Sequence, residues 1–161
     1  MEGCKIEHVA ATGLDLVSGV QHSKIIGNVF RDIGGTGIQA GFFGSHSFEA
    51  HLPYNPEDSR ELVGFSEISN NLITDATNED WGCVGISIGF AHDINIEYNE
   101  VVDVNYSGIC VGWGWTKTLS ASKNNRIHAN KIHRFAKQMY DVGGIYTLSA
   151  QPNMEISENV I

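Results

Sequence analysis

Two stretches carry the residues best suited to chemistry: DVNYSGICVGWGWT, beginning at Asp103, and DVGGIYTLSAQP, beginning at Asp141. Asp32, Asp80 and Asp103 each stand five residues before the glycine of a Gly-Ile pair, and Asp141 stands three before its own. If those pairs hold equivalent places in a repeat, Asp80, Asp103 and Asp141 fall on consecutive units, with Asp75 and Glu79 close by. Carboxylates so grouped raise one another's pKa, which lets one donate a proton while its neighbour stays ionised at neutral pH. A lone turn aspartate is more often a solvated turn former; a column of them argues for more. At Asp141 the two glycines that follow allow a tight turn that leaves the carboxylate uncovered.

The aromatic residues crowd into the same units. Trp81, Tyr106, Trp113, Trp115 and Tyr146 surround the acids, and Gln151 closes the second stretch. In GWGW the tryptophans alternate with glycines, so both point to one side of a strand. Two indoles stacked inward would overfill a narrow coil, so an outward platform is expected, its flat faces and polar edges suited to sugar rings.

These positions need a repeating scaffold, and the chain has one. IIGNVF, ISNNLI, IEYNEV, IHANKI and ISENVI share the form I-x-x-N-x-apolar, with Asn28, Asn71, Asn99, Asn130 and Asn159 at spacings of 43, 28, 31 and 29 residues. Gly37-Ile38, Gly85-Ile86, Gly108-Ile109 and Gly144-Ile145 follow, each opening a run that alternates with period two, the strand signal. KIEHVAATGLDL reads as a degenerate earlier unit with His8 and Gly13-Leu14 in the same places. Two strands per unit with no helical period predict an all-β chain: a right-handed parallel β-helix of about six coils. Leucine-rich repeats would need a leucine pattern, and propeller blades four strands per period.

The asparagines are expected to stack as a structural ladder, each amide bonded to those above and below at the parallel-strand spacing of about 4.8 Å. The chain reads as a single domain over residues 1–161, with a loop insertion at about 43–62 that accounts for the long first spacing; such insertions leave a solenoid from one face and wall its clefts. With no polar cap at either end, the sequence reads as part of a longer β-helix, and its open coil ends could pair with another copy.

Composition narrows the partners. Nineteen acidic against ten basic residues give a formal charge of −9, which repels phosphate backbones and anionic lipid, so neither nucleic acid nor membrane is expected. No apolar run reaches the roughly 20 residues of a membrane span. No signal peptide opens the sequence, and a secreted or periplasmic setting is expected for the full-length protein. Cys4, Cys83 and Cys110 lack C-x-x-C spacing and read as buried small side chains. Of seven histidines only His128 and His133 are near neighbours, at a spacing that suits no helical face, so no metal site or cofactor is expected.

DVNYSGICVGWGWT and DVGGIYTLSAQP, with the asparagine coils, resemble β-helix glycoside hydrolases of the pectate-lyase-like superfold, especially family 141 and its fucosidase and xylan-degrading relatives. The resemblance runs from Asn71 to Ile161; where its members show an aspartate before three glycines, this chain has Val142 in place of one. It implies a glycosidase acting on plant or complex glycans, with Asp103 and Asp141 as the catalytic carboxylates, Glu79 and Asp80 assisting or binding, and the aromatics and Gln151 holding the sugar.

Two other classes stay open. In a polysaccharide lyase, an acidic cluster holds calcium against a uronate and an arginine removes the proton. Arg134 suits that role, standing four residues past its ladder asparagine, as Asp32, Asp75 and Asp103 do. A non-catalytic glycan-binding or structural β-helix is the third.

Overall fold

A computed structural model describes residues 1–44 and 52–161. Its strands are β1 (Lys5–Val9), β2 (Leu14–Leu16), β3 (Lys24–Ile26), β4 (Val29–Ile33), β5 (Ile38–Ala40), β6 (Val63–Ser69), β7 (Leu72–Ala76) and β8 (Ile86–Ile88). They continue with β9 (Ala91–Glu97), β10 (Glu100–Val104), β11 (Ile109–Val111), β12 (Arg126–His128), β13 (Lys131–His133), β14 (Ile145–Thr147) and β15 (Glu155–Ser157).

Every third strand joins the same parallel sheet. The first sheet is β1-β4-β7-β10-β13, the second β2-β5-β8-β11-β14 and the third β3-β6-β9-β12-β15. The chain therefore winds as a parallel β-helix with three strands per coil, where the sequence pattern had suggested two. Five coils are complete, and Val160 bridges Lys131 to begin a sixth. Among the described residues no helix is long and apolar enough to cross a membrane.

The core is three stacked columns. Phe30, Ile73, Val101 and Ile132 are in register in the first sheet, Ile38, Ile86 and Ile109 in the second, and Ile25, Ile68, Ile96 and Ile127 in the third. All are almost completely buried, each such side chain stabilising the coil by about 1.5–3 kcal/mol relative to exposure.

The corner between the third and first sheets is held by the asparagines. Asn28 Nδ2 donates to Asn71 Oδ1 at 2.9 Å, Asn71 to Asn99 at 2.9 Å, Asn99 to Asn130 at 3.0 Å and Asn130 to Asn159 at 3.0 Å. Each of these Oδ1 atoms also accepts the backbone N–H of the asparagine one coil earlier. The second amide protons of Asn71, Asn99 and Asn130 go to the carbonyls of Ile25, Ile68 and Ile96, so these buried amides are fully partnered, as burial requires. The residue before each asparagine (Gly27, Asn70, Tyr98, Ala129, Glu158) has positive φ, which bends the strand sharply into the next sheet.

The proposed insertion lies between β5 and β6. Its residues 45–51 fall outside the described residues; its later part ends in a 3-10 turn, Ser59–Glu61, whose N-cap Asp58 accepts the Arg60 N–H.

Candidate functional site

Side chains alternate across a strand, so the residue after each Gly-Ile or Gly-Leu pair faces out of the coil. Strand pairing aligns these outward residues along the second sheet as Asp15, Gln39, Ser87, Cys110 and Tyr146. Gln39, Ser87, Cys110 and Tyr146 form the floor of a groove of about 430 Å³. One wall comes from the turns entering the sheet, with Cys83 and Tyr106; the other comes from the segments leaving it, with Phe43, Trp113, Trp115 and Leu148.

The far wall depends on local backbone. Gly112 has φ +98°, and a Cβ there would collide with the Leu148 carbonyl and the Gln151 amide, so only glycine lets the chain turn out from β11 and raise the two tryptophans. Trp113 meets Phe43 edge-on, ring centres 5.3 Å apart. Trp115 stays 61% exposed, leaving much of its indole accessible.

The groove is lined by neutral groups. Burial pushes the Cys110 thiol up to about 12, and burial likewise raises Cys83. The Tyr106 phenol is raised by burial first, then by Cys110, Tyr146 and the charge of Asp141. At neutral pH these are protonated hydrogen-bond donors set among aromatic rings, a surface fitted to hydroxyl-rich, uncharged rings.

Of the residues picked from sequence, Tyr106, Trp113, Trp115 and Tyr146 line this groove together. Trp81 is exposed in the adjoining turn, where Asp80 accepts the Gly82 N–H at 3.2 Å and its carbonyl accepts from Cys83. Glu79 lies over Gly34 in a separate hollow with His8, Asp32 and Asn78. Gln151 turns to its own framework, donating to the Leu148 carbonyl at 3.1 Å and accepting from Asn125 at 3.4 Å.

The carboxylates are divided. Asp141, exposed and with φ +61°, stands close enough to Tyr106 to act on its phenol. Asp103 sits at the corner that ends β10, 2.6 Å from the Arg134 guanidinium. The strands set Asp103 beside Asp75, not Asp80, which corrects the column expected from the Gly-Ile spacing. The aligned residues are His8, Asp32, Asp75, Asp103 and Arg134, all with positive φ. Turn length explains the slip: the connection from β7 to β8 is longer than that from β10 to β11, so counting back from glycine misaligns what counting forward from asparagine does not. Cys4, expected buried, is exposed, while Cys83 and Cys110 are partly buried; all three are free.

Sequence reasoning overlooked Gln39, Ser87 and Cys110, although their place after the Gly-Ile pair carried the signal. Phe43 had no such mark, standing at the start of the insertion.

The family described as "Right handed beta helix region" matches residues 12–161. A solved structure named "Glycoside hydrolase" is similar at 50% identity and a TM-score of 0.93, over 97% of this chain and 26% of that one. The chain thus spans about a quarter of that structure's length. No curated protein matches.

Proposed function

This chain belongs to the right-handed β-helix family, and from that premise we propose that it is a carbohydrate-active domain that hydrolyses glycosidic bonds of a plant or complex glycan held in the groove of the second sheet. The observation that carries this reading is the joint placement of Tyr106, Trp113, Trp115 and Tyr146 around one groove. The solved relative named a glycoside hydrolase, half identical over nearly the whole chain, supports it.

In this mechanism the tryptophans stack a sugar ring and the tyrosine hydroxyls fix its orientation. Asp141, an exposed carboxylate whose charge contributes to raising the Tyr106 phenol, takes the catalytic role with Asp103 as the second carboxylate of the pair. Trp81 and Asp80, in the turn that carries Cys83, extend the entry side, while Glu79, in its separate hollow, takes no part. The Arg134–Asp103 pair supports hydrolysis over elimination, since the guanidinium that a lyase would use as its base is engaged by a carboxylate.

One observation favours a second reading, glycan binding without turnover: the groove's lining residues are all uncharged. Trp113→Ala and Tyr146→Ala in affinity electrophoresis through glycan gels test the shared premise. Both should lose the retardation that the parent shows; retention equal to the parent's would remove the groove from the account.

A further inference from the structure

We infer that the groove continues into a second sugar subsite beyond Phe43, so that the ligand is a glycan chain lying along the solenoid axis rather than one terminal sugar; this rests on the sugar-binding reading of the groove. A cavity of about 550 Å³ lies there, lined by Val17, Ser18, Phe42, Tyr54 and Glu61 among others, and it shares Gln39 and Phe43 with the first groove. The two cavities are therefore adjacent along the floor toward the first coil, where one chain ligand could reach both.

The second cavity repeats the chemistry of the first. Tyr54 and Phe42 make an aromatic wall, ring centres 4.3 Å apart, and Tyr54 is backed by Phe90 at 5.8 Å. Glu61 lies near enough to the Tyr54 phenol to raise it, after burial, and lines the same cavity, so a carboxylate stands where ring hydroxyls would need an acceptor. Below it the floor runs on, with Gln39 Nε2 donating to Asp15 at 3.4 Å.

Length argues the same way. From Tyr146 to Asp15 the floor crosses five strands, and at a spacing of about 4.8 Å per strand it extends about 19 Å, more than one pyranose ring occupies. Among the described residues the floor at Gln39 belongs to both cavities, whereas a site for a terminal sugar would end there.

The test is calorimetric titration of the protein with xylo-, cello- and galacturono-oligosaccharide ladders from the monosaccharide to the hexasaccharide. In the ladder that binds, affinity should rise about tenfold or more between disaccharide and tetrasaccharide. Val17→Trp, at an exposed position on the second cavity's wall, should abolish that rise and leave disaccharide affinity unchanged; Glu61→Gln should reduce it likewise. Affinity that is flat beyond the disaccharide, or a Val17→Trp loss equal at all lengths, would overturn the second subsite alone. Binding to none of the three ladders would overturn the sugar-binding reading and this inference with it.

Discussion

Arg134 donates to the Asp103 carboxylate at 2.6 Å, from the position on the next coil that strand register makes equivalent. At the other end of the same corner column His8 pairs with Asp32, also at 2.6 Å. The acidic corner is thus closed by a basic group at each end. Because the Arg134 side chain is 65% exposed, the pair contributes little to folding, at most about 1 kcal/mol. Arg134→Gln should leave the denaturation midpoint nearly unchanged and lower turnover of any glycan the parent cleaves. A large stability loss would show that the pair is structural.

The asparagine ladder makes the opposite prediction. At Asn99 one side chain accepts from Asn71 twice and donates to Asn130 and to the Ile68 carbonyl. Asn99→Ala strands these buried partners at about 1–3 kcal/mol for each one left unsatisfied. Asn159→Ala, at the partly buried end of the ladder, should cost less. Urea titration compares them; equal midpoints would show that the ladder does not hold the corner.

Gly112→Ala should deform the tryptophan wall, since the new Cβ meets the Leu148 carbonyl and φ is +98°. Lower stability with altered tryptophan fluorescence is expected. A variant with the parent's spectrum and midpoint would mean that the wall tolerates a side chain there.

The thiols should differ in reactivity. Cys4 is exposed, whereas the Cys110 thiol is raised by burial from 9.0 to about 12. A maleimide at pH 8 should label Cys4 quickly and Cys110 hardly at all. The folded chain holds the Cys110 proton more tightly than the unfolded one. Its contribution to stability is therefore full below pH 9 and is lost as the pH rises toward 12. Rapid Cys110 labelling at pH 8 would contradict its burial.

How much of this the sequence disclosed follows from how each signal is written. The solenoid was legible because Asn28, Asn71, Asn99, Asn130 and Asn159 repeat a residue that the corner physically requires. The third sheet was not, because I-x-x-N-x-apolar spans a corner: Ile25 belongs to β3 and Val29 to β4, two strands that read as one. Tyr106, Trp113, Trp115 and Tyr146 could be grouped from sequence since they share coils. Asp80 was misplaced because turn lengths vary between coils, and Phe43 because it reaches the groove from an insertion with no counterpart in other units.

We propose that the groove hydrolyses glycosidic bonds with Asp141 and Asp103 as its carboxylate pair. It is tested most directly by incubating the protein, Asp141→Asn and Asp103→Asn with a panel of plant and complex glycans, scoring released reducing ends against unsaturated-uronate absorbance. The account predicts new reducing ends without that absorbance, and a fall in turnover of several orders of magnitude in each variant with the fold intact. Near-parent hydrolysis by Asp141→Asn, or products absorbing as unsaturated uronates, would contradict it.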